Sequence, residues 1–454
     1  MPIISRNPAT EEILATFEEI TPAQVQEKLG LSQTAYKYWK SSTFETRSEL
    51  MMRLGLLFRE KRDMLAAIIS SEMGMPINQA VAEVEKSALV IEFYAQNAPK
   101  FLAPETIDVG AKENYVSFEP LGVILCVAPW NFPLYLALRP AIPAIMVGNT
   151  VVLKHASNVP QCSLILHELF KEAGFPEGVF QSLLIGSGQV EAIIKDERVV
   201  MATLIGSENA GSKIASQAGS VIKKTVMELG GSDPFIVLGD ADIDKAVLAF
   251  VGSRYRNAGQ SCNAAKRLLL DESIAENFTK KLLAELEKEV IGDQLDPKTT
   301  MGPLAGEGSL KEITSQVEES VKMGAKILVG GKRHGDKGYF YEPTVLTNIM
   351  KGMPVYDQEV FGPVTPIITF KTVEEAIEIA NDSRLGLGAC VWTADYDLAK
   401  KLIPMLEAGN VFINSAVRSD PNLPYGGIKK SGFGREFGEY GIKEFVNIKT
   451  VVVR

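Results

Sequence analysis

The first hundred residues carry apolar side chains at helical spacing, with few prolines or glycines between them. This pattern covers residues 22–100 and is clearest over 47–64 and 80–98. Apolar positions that recur three and four residues apart predict amphipathic helices. Two shorter segments, at 106–108 and 116–118, have polar flanks and predict extended strands. The chain therefore begins with a predicted helical layer that is followed by a small β segment.

From residue 150 onward, short β-branched runs alternate with helical patterns. Strands are predicted at 150–154, 179–185, 200–205 and 222–227, and helices at 159–173, 190–195 and 207–218. This alternation predicts a parallel sheet with helices on both faces. Because doubly wound sheets bind nucleotides at the carboxyl ends of their strands, we expect Lys154, Gly206 and Glu228 to lie along one edge.

A second alternating series follows Gly231. Its predicted strands are 234–238, 266–270, 326–329 and 364–370, and its predicted helices include 243–255, 273–290 and 373–381. We interpret this series as a second α/β domain. The β-branched run at 445–453 has no helix after it, and a strand of that kind promotes aggregation if it stays unpaired.

Residues 121–148 are apolar enough to suggest a membrane span, but they contain Pro129, Pro133, Pro140 and Pro143. A spanning helix needs about 20 predominantly apolar residues. Repeated prolines would interrupt the hydrogen bonds of such a helix. We therefore interpret this stretch as a buried strand and a wall of the functional site.

Composition argues against several classes of function. The net charge is −9, whereas nucleic acids and anionic membranes select basic patches, so neither is an expected partner. The N-terminus lacks a basic segment followed by an apolar one, which predicts no signal peptide and a cytoplasmic protein. The four cysteines show no paired spacing, and none of the three histidines lies at a ligand spacing from a cysteine. We therefore expect free thiols and no metal site.

Cys262 and Glu228 are the candidate reactive residues. Cys262 lies in the loop-like segment NAGQSCN, and Glu228 is followed by Leu229 and two glycines. A thiolate is a strong nucleophile, and a carboxylate with a raised pKa can act as a general base. Neither residue is specific alone, because most free cysteines are small buried core residues.

Six motifs in a fixed order add the missing specificity. They are PWNFP at 129–133, GS with a further glycine at 206–211, ELGG at 228–231, GQSC at 259–262, EVFGP at 359–363, and PYGG with KSG at 424–432. Together they resemble the aldehyde dehydrogenase superfamily over essentially the whole chain. Within it, the chain is most similar to the succinate-semialdehyde dehydrogenases of the short bacterial kind.

The resemblance implies an α/β fold with two doubly wound parallel-sheet domains and a small β oligomerisation element. The implied segments are 1–105 and 120–230 for a dinucleotide-binding domain, 231–425 for a catalytic domain, and 106–119 with 426–454 for the oligomerisation element. In the family, the C-terminal strand pairs with the 106–118 region and builds the subunit interface. A homodimer or homotetramer is therefore expected.

The resemblance also assigns roles at the reactive centre. Cys262 would add to an aldehyde, and Glu228 would activate the water that hydrolyses the resulting thioester. The side-chain amide of Asn131 and the backbone N–H of Cys262 would form the oxyanion hole. Judged from the residues alone, Asn131 could also be a buried structural asparagine beside proline turns.

A nicotinamide cofactor is implied by a set of further positions. They are Trp130, Asn131, Lys154, His155, Ala156, Ser157, Gly206, Ser207, Leu229, Glu359 and Phe361. Free amides where a helix begins at Gly206–Ser207 favour a phosphate, although a plain serine N-cap is the alternative. Lys154 would contact the adenosine ribose, Leu229 and Phe361 would lie against the nicotinamide, and Glu359 would hold its ribose.

Ser157 indicates which cofactor is preferred. Many NAD-using relatives carry a glutamate at this position, where a carboxylate would repel the 2′-phosphate of NADP. Ser157 is small and neutral, Lys154 supplies positive charge, and His155 could add to it. We therefore expect NADP to be preferred, with NAD a weaker cofactor. The alternative is that Ser157 caps the helix that begins near Val159.

Two arginines indicate the substrate. Arg139 and Arg256 lie close in sequence to Asn131 and Cys262. Arginines near a nucleophile either pair with structural acids or bind an anionic ligand, and a guanidinium suits a carboxylate. Both match arginines that bind the distal carboxylate in succinate-semialdehyde dehydrogenases, and Ser419 matches a serine with the same role. A small aldehyde with a terminal carboxylate is the expected substrate.

The predicted activity is therefore NADP-dependent oxidation of succinate semialdehyde. Three alternatives stay open at this point. The chain could oxidise another small aldehyde, it could pass the acyl group to coenzyme A, or it could be a non-catalytic nucleotide-binding protein on the same fold. Glu228 argues against the second, and the joint presence of Cys262, Glu228 and Asn131 argues against the third.

Overall fold

The computed structural model describes residues 2–454. Its helices are α1 (Pro22–Trp39), α2 (Phe44–Glu60), α3 (Arg62–Met73), α4 (Ile77–Phe101), α5 (Pro133–Val147), α6 (Pro160–Glu172), α7 (Val190–Lys195), α8 (Glu208–Gly219), α9 (Ile243–Arg254), α10 (Ala275–Leu286), α11 (Glu307–Lys322), α12 (Pro354–Asp357), α13 (Val373–Asn381), α14 (Tyr396–Leu402) and α15 (Gly438–Lys443). Its strands are β1 (Ile3–Arg6), β2 (Ile13–Phe17), β3 (Glu105–Thr106), β4 (Glu113–Pro120), β5 (Val123–Ala128), β6 (Thr150–His155), β7 (Phe180–Ser182), β8 (Val199–Ile205), β9 (Lys224–Glu228), β10 (Asp233–Val237), β11 (Ala265–Asp271), β12 (Lys326–Val329), β13 (Thr344–Thr347), β14 (Val364–Phe370), β15 (Leu385–Gly386), β16 (Gly388–Trp392), β17 (Asn410–Ile413), β18 (Ile428–Lys429), β19 (Gly432–Phe433) and β20 (Val446–Val453). The predicted helical layer at 22–100 is confirmed as α1 to α4.

The first large sheet has the strand order β19-β9-β8-β5-β6-β7. Its strands run parallel except β19, which pairs antiparallel with β9. Glu228 ends β9, Gly206 follows β8, and Lys154 lies near the end of β6. The structure therefore confirms that these three residues share the carboxyl edge of one sheet.

The second large sheet has the order β12-β13-β14-β11-β10-β16-β17, and only β12 runs antiparallel to its neighbour. Cys262 lies just before β11, Gly231 just before β10, and Glu359 shortly before β14. These residues therefore lie at the amino ends of their strands. The candidate site forms where this amino edge faces the carboxyl edge of the first sheet.

The apolar stretch at 121–148 differs from the prediction. Its first part is the buried strand β5, as expected, but its second part is the helix α5, which contains Pro140 and Pro143. The prediction of a strand is wrong for this second part, because every residue of α5 is buried and its packing outweighs the hydrogen bonds lost at the prolines. Arg47 also donates to the carbonyls of Met146 and Val147 at the end of this helix.

A three-stranded sheet stands apart from the two large ones. The C-terminal strand β20 pairs antiparallel with β4 along its whole length, and β3 continues the sheet on the other side of β4. This confirms the expected pairing of the C-terminal run. Residues 428–433 do not join this sheet, because β18 pairs with β15 and β19 with β9. Across residues 2–454, none of the helices is long and apolar enough to cross a membrane.

Candidate active site

The segment from Glu228 to Gly231 passes extremely close to the loop of the candidate nucleophile. A Cβ atom added at Gly231 would lie 2.7 Å from the carbonyl oxygen of Cys262 and 2.6 Å from Oδ1 of Asp233. One added at Gly230 would overlap the carboxylate of Glu359. Gly231 therefore requires glycine, because a Cβ there would meet backbone, whereas at Gly230 the side chain of Glu359 would have to move. The close approach at Gly231 brings the edges of the two sheets together.

Ser431 holds the same segment from the other side. Its hydroxyl donates to the carbonyl of Gly230 at 2.6 Å and accepts from the backbone N–H of Gly386 at 2.9 Å. Its carbonyl accepts from the backbone N–H of Leu229 at 3.0 Å. The KSG motif was noted in the sequence without a role, and the structure gives its serine a supporting one.

Glu228 is a buried carboxylate without compensation. It is 2% exposed, and within residues 2–454 neither of its side-chain oxygens has a hydrogen-bond partner. Burial raises the pKa of Glu228 to about 7; Arg139 opposes this shift and the negative charge of Glu436 adds to it. A carboxyl group with a pKa near neutrality is suited to accept a proton as a general base.

Cys262 is partly exposed, whereas Cys126, Cys162 and Cys390 are buried. Burial within its cavity raises the pKa of the Cys262 thiol well above the ordinary value, and the charge of Glu228 raises it further. The thiol therefore needs a proton acceptor before it can attack as a thiolate. The shared influence on each other's pKa places Cys262 and Glu228 at one reactive centre.

Asn131 is fixed by hydrogen bonds on both sides. Its side-chain nitrogen donates to the carbonyl of Gln260 at 3.1 Å, and its own carbonyl accepts from the side chain of Asn257 at 2.8 Å. A side-chain amide has two N–H donors. The bond to Gln260 uses one, so the second is available; the predicted role of Asn131 toward an oxyanion stays a prediction.

Lys266 is a site residue that the sequence analysis missed. Its Nζ donates to the carbonyls of Ser261, at 2.8 Å, and Cys262, and it lies 3.2 Å from Oε1 of Glu359. That same oxygen accepts from the backbone N–H of Gly231 at 3.1 Å. A buried lysine thus ties the nucleophile loop to the carboxylate predicted to hold the nicotinamide ribose.

The predicted pyrophosphate site lies where α8 begins. Ser207 caps this helix by accepting from the N–H of Ala210 at 3.3 Å, so the capping role is present. The N–H of Gly206 donates to the carbonyl of Glu228 at 3.0 Å, which joins the start of α8 to the catalytic segment. A helix start adjacent to the reactive centre fits the phosphates of a dinucleotide.

Trp130 and Phe361 pack edge to face, with ring centres 5.8 Å apart. Leu229 lies directly above Gly211 of α8, where an added Cβ would be 2.6 Å from a Leu229 methyl group. These apolar groups belong to the set predicted to surround the cofactor. Their roles toward it stay predictions.

His155 does not carry the charge that the sequence analysis considered for it. Its Nδ1 accepts from the backbone N–H of Ala156 at 2.8 Å, so the proton is on Nε2, which lies 2.8 Å from the carbonyl oxygen of Pro133. Burial lowers the pKa of His155 to about 4. The imidazole is therefore neutral at physiological pH, and this part of the NADP argument is wrong.

Ser157 is exposed and does not cap the helix that follows it. The first amides of α6, from Gln161 and Cys162, instead donate to the carboxylate of the buried Glu72, both at 2.9 Å. Among residues 2–454, no hydrogen bond engages the Ser157 hydroxyl. The hydroxyl is available to a ligand, and nearby Lys154 is partly buried, with its pKa lowered by that burial.

A cavity of about 390 Å³ opens beside Cys262. Arg139 and Arg256 both line it, but the guanidinium of Arg139 is ion-paired with Glu436, and the two side chains are only 2% and 4% exposed. The structure thus favours the structural alternative for Arg139. Arg256 is exposed and lies 5.0 Å from the centre of the Phe132 ring, so its charge faces the cavity.

Lys86 of α4, which lines the cavity, is another residue that the sequence analysis missed. Its Nζ donates to the hydroxyl of Ser419 at 2.9 Å and lies 4.4 Å from the centre of the Tyr135 ring. The hydroxyls of Tyr135 and Ser419 are 2.9 Å apart. Ser419 is therefore at the predicted site, but its partners are a lysine and a tyrosine.

The chain matches the model of the aldehyde dehydrogenase family over residues 2–451. A Mycobacterium ulcerans protein named succinate-semialdehyde dehydrogenase (NADP(+)) 1 is 47% identical over 457 residues, which cover 100% of both chains. Its Mycobacterium tuberculosis namesake is 46% identical over 454 residues, 99% of each chain. The crystal structure of succinic semialdehyde dehydrogenase from Streptococcus pyogenes, in complex with NADP+ as the cofactor, has a TM-score of 0.97 and 37% identity over 99% of each chain. The chain belongs to the aldehyde dehydrogenase family.

Replacing Glu228 by glutamine should lower the pKa of the Cys262 thiol, because the charge of Glu228 is, after burial, the largest cause that raises it. Thiolate then forms at lower pH, so the midpoint of the rate of alkylation by iodoacetamide against pH should move down. Glu272→Gln, at an exposed position, is the control and should leave the midpoint in place. A midpoint that stays or rises in Glu228→Gln would contradict the electrostatic account.

Proposed function

We propose that this aldehyde dehydrogenase oxidises succinate semialdehyde to succinate, with NADP as the hydride acceptor. The observation that carries the proposal is a cavity of about 390 Å³ in which Cys262 shares the walls with the cation Arg256 and the hydroxyl of Ser419. The size suits a small aldehyde, and the positive charge suits one with a terminal carboxylate. Relatives named for this activity align along the whole chain.

In the first half of the reaction, the Cys262 thiol releases its proton to water, the thiolate sulfur adds to the aldehyde carbon, and the carbonyl oxygen becomes an oxyanion. The free N–H of Asn131 and the backbone N–H of Cys262 stabilise that oxyanion. Loss of one such donor costs about 2.7–4 kcal/mol of barrier in comparable enzymes. A hydride then leaves the carbon, the carbonyl re-forms, and a thioester remains on Cys262; bound NADP+ supplies the hydride acceptor.

In the second half, Glu228 accepts a proton from water while the water oxygen adds to the thioester carbon. The carbon–sulfur bond breaks, Cys262 returns as a thiolate, and the acid product releases the second proton to water and leaves as the carboxylate. The pKa of about 7 makes Glu228 an effective base at neutral pH. This residue favours hydrolysis over transfer of the acyl group to coenzyme A.

The residues near β6 and α8 fit NADP. The unengaged hydroxyl of Ser157 can donate to a 2′-phosphate, and Lys154 supplies charge. The start of α8 presents N–H groups toward the carboxyl edge of its sheet. Ser157 would hold the 2′-phosphate, the start of α8 the pyrophosphate, and Glu359 the nicotinamide ribose.

We further propose that the chain forms a cytoplasmic homodimer or homotetramer through the sheet of β3, β4 and β20. Ile448, Val452 and Val453 of β20 are 62%, 49% and 39% exposed. Apolar side chains and an open strand edge of this kind favour association with a second chain. Free thiols fit a reducing compartment.

The wild-type enzyme should oxidise succinate semialdehyde with a kcat/KM about tenfold or more above that for butanal, because butanal cannot engage a cation. The measurement is steady-state reduction of NADP with coenzyme A omitted. Cys262→Ala should abolish turnover of both aldehydes. A preference for butanal, or turnover only when coenzyme A is present, would contradict the proposed function.

Glu228→Gln should separate the two halves of the reaction. Hydride transfer needs Cys262 and should still occur, whereas the thioester should persist because its base is missing. Rapid mixing should show a burst of about one reduced cofactor per active site without steady turnover. Steady turnover near the wild-type rate would mean that another group activates the water.

Ser157→Glu should reverse or erase the preference for NADP, since a carboxylate would repel the 2′-phosphate more than it disturbs NAD. The measurement is kcat/KM for each cofactor at saturating aldehyde. Ser157→Ala, which removes only the hydroxyl, should weaken the preference without reversing it. The assignment fails if the wild-type enzyme favours NAD by about tenfold or more.

A further inference from the structure

Lys86 lies on α4 and lines the substrate cavity with its ammonium group. An ammonium group has three N–H donors, and the bond to the Ser419 hydroxyl, at 2.9 Å, uses one. The face of the Tyr135 ring lies on another side of the ammonium, 4.4 Å from ring centre to Nζ. Donors therefore remain for a ligand that enters the cavity between these groups and Cys262.

Lys86 has no partner within ion-pair distance. Among residues 2–454 it forms no ion pair, and the charge of Asp420 acts on it only from beyond that distance. Glu83, one turn earlier in α4, binds the backbone N–H groups of Leu134 and Tyr135 through Oε1, and burial raises its pKa to about 8. Glu83 is therefore mainly protonated at neutral pH and does not neutralise the lysine.

The surroundings of Lys86 favour an anion. Burial, together with the positive charges of Arg139 and Arg256, lowers the pKa of Lys86 to about 7. A carboxylate placed beside the ammonium would offset all of these effects, because it stabilises the charged form of the lysine. The cavity is thus built to gain from binding one negative charge.

The two arginines of the cavity differ in what they can offer to such an anion. Arg139 is committed to Glu436 in a fully buried ion pair. Removing it from that pair would leave a buried carboxylate unpaired, which is strongly unfavourable. Arg256 has no ion pair within residues 2–454 and lies over the ring of Phe132.

We propose that Lys86 is a specificity-determining residue that binds the terminal carboxylate of the aldehyde together with Ser419 and Arg256, while Arg139 stays with Glu436. This assignment rests on the proposed function and names the groups that bind the charged end of the substrate. The carboxylate accepts a hydrogen bond from Nζ of Lys86, and the aldehyde end extends along the cavity to Cys262.

The test is a comparison of Lys86→Met with the wild-type enzyme on two aldehydes. Lys86→Met keeps the length of the side chain and removes its charge. KM for succinate semialdehyde should rise about tenfold to a hundredfold, with kcat changed by about twofold at most. KM for butanal should change by about twofold or less. Lys86→Arg should recover most of the affinity.

Lys100→Met is the matched control, because Lys100 is an exposed lysine of the same helix. It should behave as the wild type with both aldehydes. Equal losses for succinate semialdehyde and butanal in Lys86→Met would show a structural role and overturn the proposal. An unchanged KM for succinate semialdehyde would overturn it as well.

A binding measurement separates this proposal from the proposed function. Calorimetric titration of the Cys262→Ala protein with succinate, the product, needs no turnover. Adding Lys86→Met should weaken succinate binding about tenfold or more. If the wild type prefers butanal, the proposed function fails, and this titration still decides the role of Lys86. Equal binding of succinate with and without Lys86, or no binding to either protein, overturns the role.

Discussion

The close approach of Gly231 to the loop of Cys262 is the constraint on which the rest of the site depends. A Cβ atom at Gly231 would meet the backbone carbonyl of Cys262, so glycine at this position lets the carboxyl edge of one sheet touch the amino edge of the other. Lys266 and Glu359 then join the two sides by hydrogen bonds and an ion pair. This contact brings the proposed nucleophile Cys262 and the proposed base Glu228, which come from different sheets, to one centre.

The candidate site holds the carboxylate of Glu228 in a buried state that lowers the stability of the folded chain. A buried carboxylate without hydrogen bonds, as at Glu228, is unfavourable and shifts its pKa toward neutrality. In the neighbouring ion pair, Arg139 lowers the pKa of that carboxylate and Glu436 raises it. Burial and this pair together set the pKa near 7, where the base is effective.

Much of the fold followed from the sequence, because its strands and surface helices have clear periods. The alternation of strands and helices placed Glu228 and Gly206 on one edge, and the motifs marked Cys262 as the candidate nucleophile. The helix α5 escaped prediction for a physical reason: a helix buried on every face has no polar stripe, and its prolines suggested a break. Short strands such as β15 and β18 also carry too few residues for a periodic signal.

The candidate site was harder to predict where the chemistry depends on partners distant in the sequence. Arg139 is adjacent to the reactive centre, but only the folded chain shows that Glu436 neutralises it. Ser157 stands where a serine caps a helix, yet Glu72, far away in the chain, takes that role. His155 was predicted to add positive charge, but its two hydrogen bonds are those of a neutral ring. The tertiary structure decides which charged side chains neutralise each other and which residue caps a helix.

Lys86 shows why residues that bind a substrate are harder to predict from the sequence than residues that react with it. Cys262 and Glu228 act through their own side chains, and their neighbours in the sequence mark them. A charged side chain that binds the substrate is marked only by the direction in which it points and by its lack of an ion-pair partner. Lys86 lies in α4, in the N-terminal helical layer, whereas Cys262 lies in the loop before β11, so the cavity exists only where these layers meet. Recognition of the aldehyde is therefore coupled to the same contact between sheets that assembles the reactive centre.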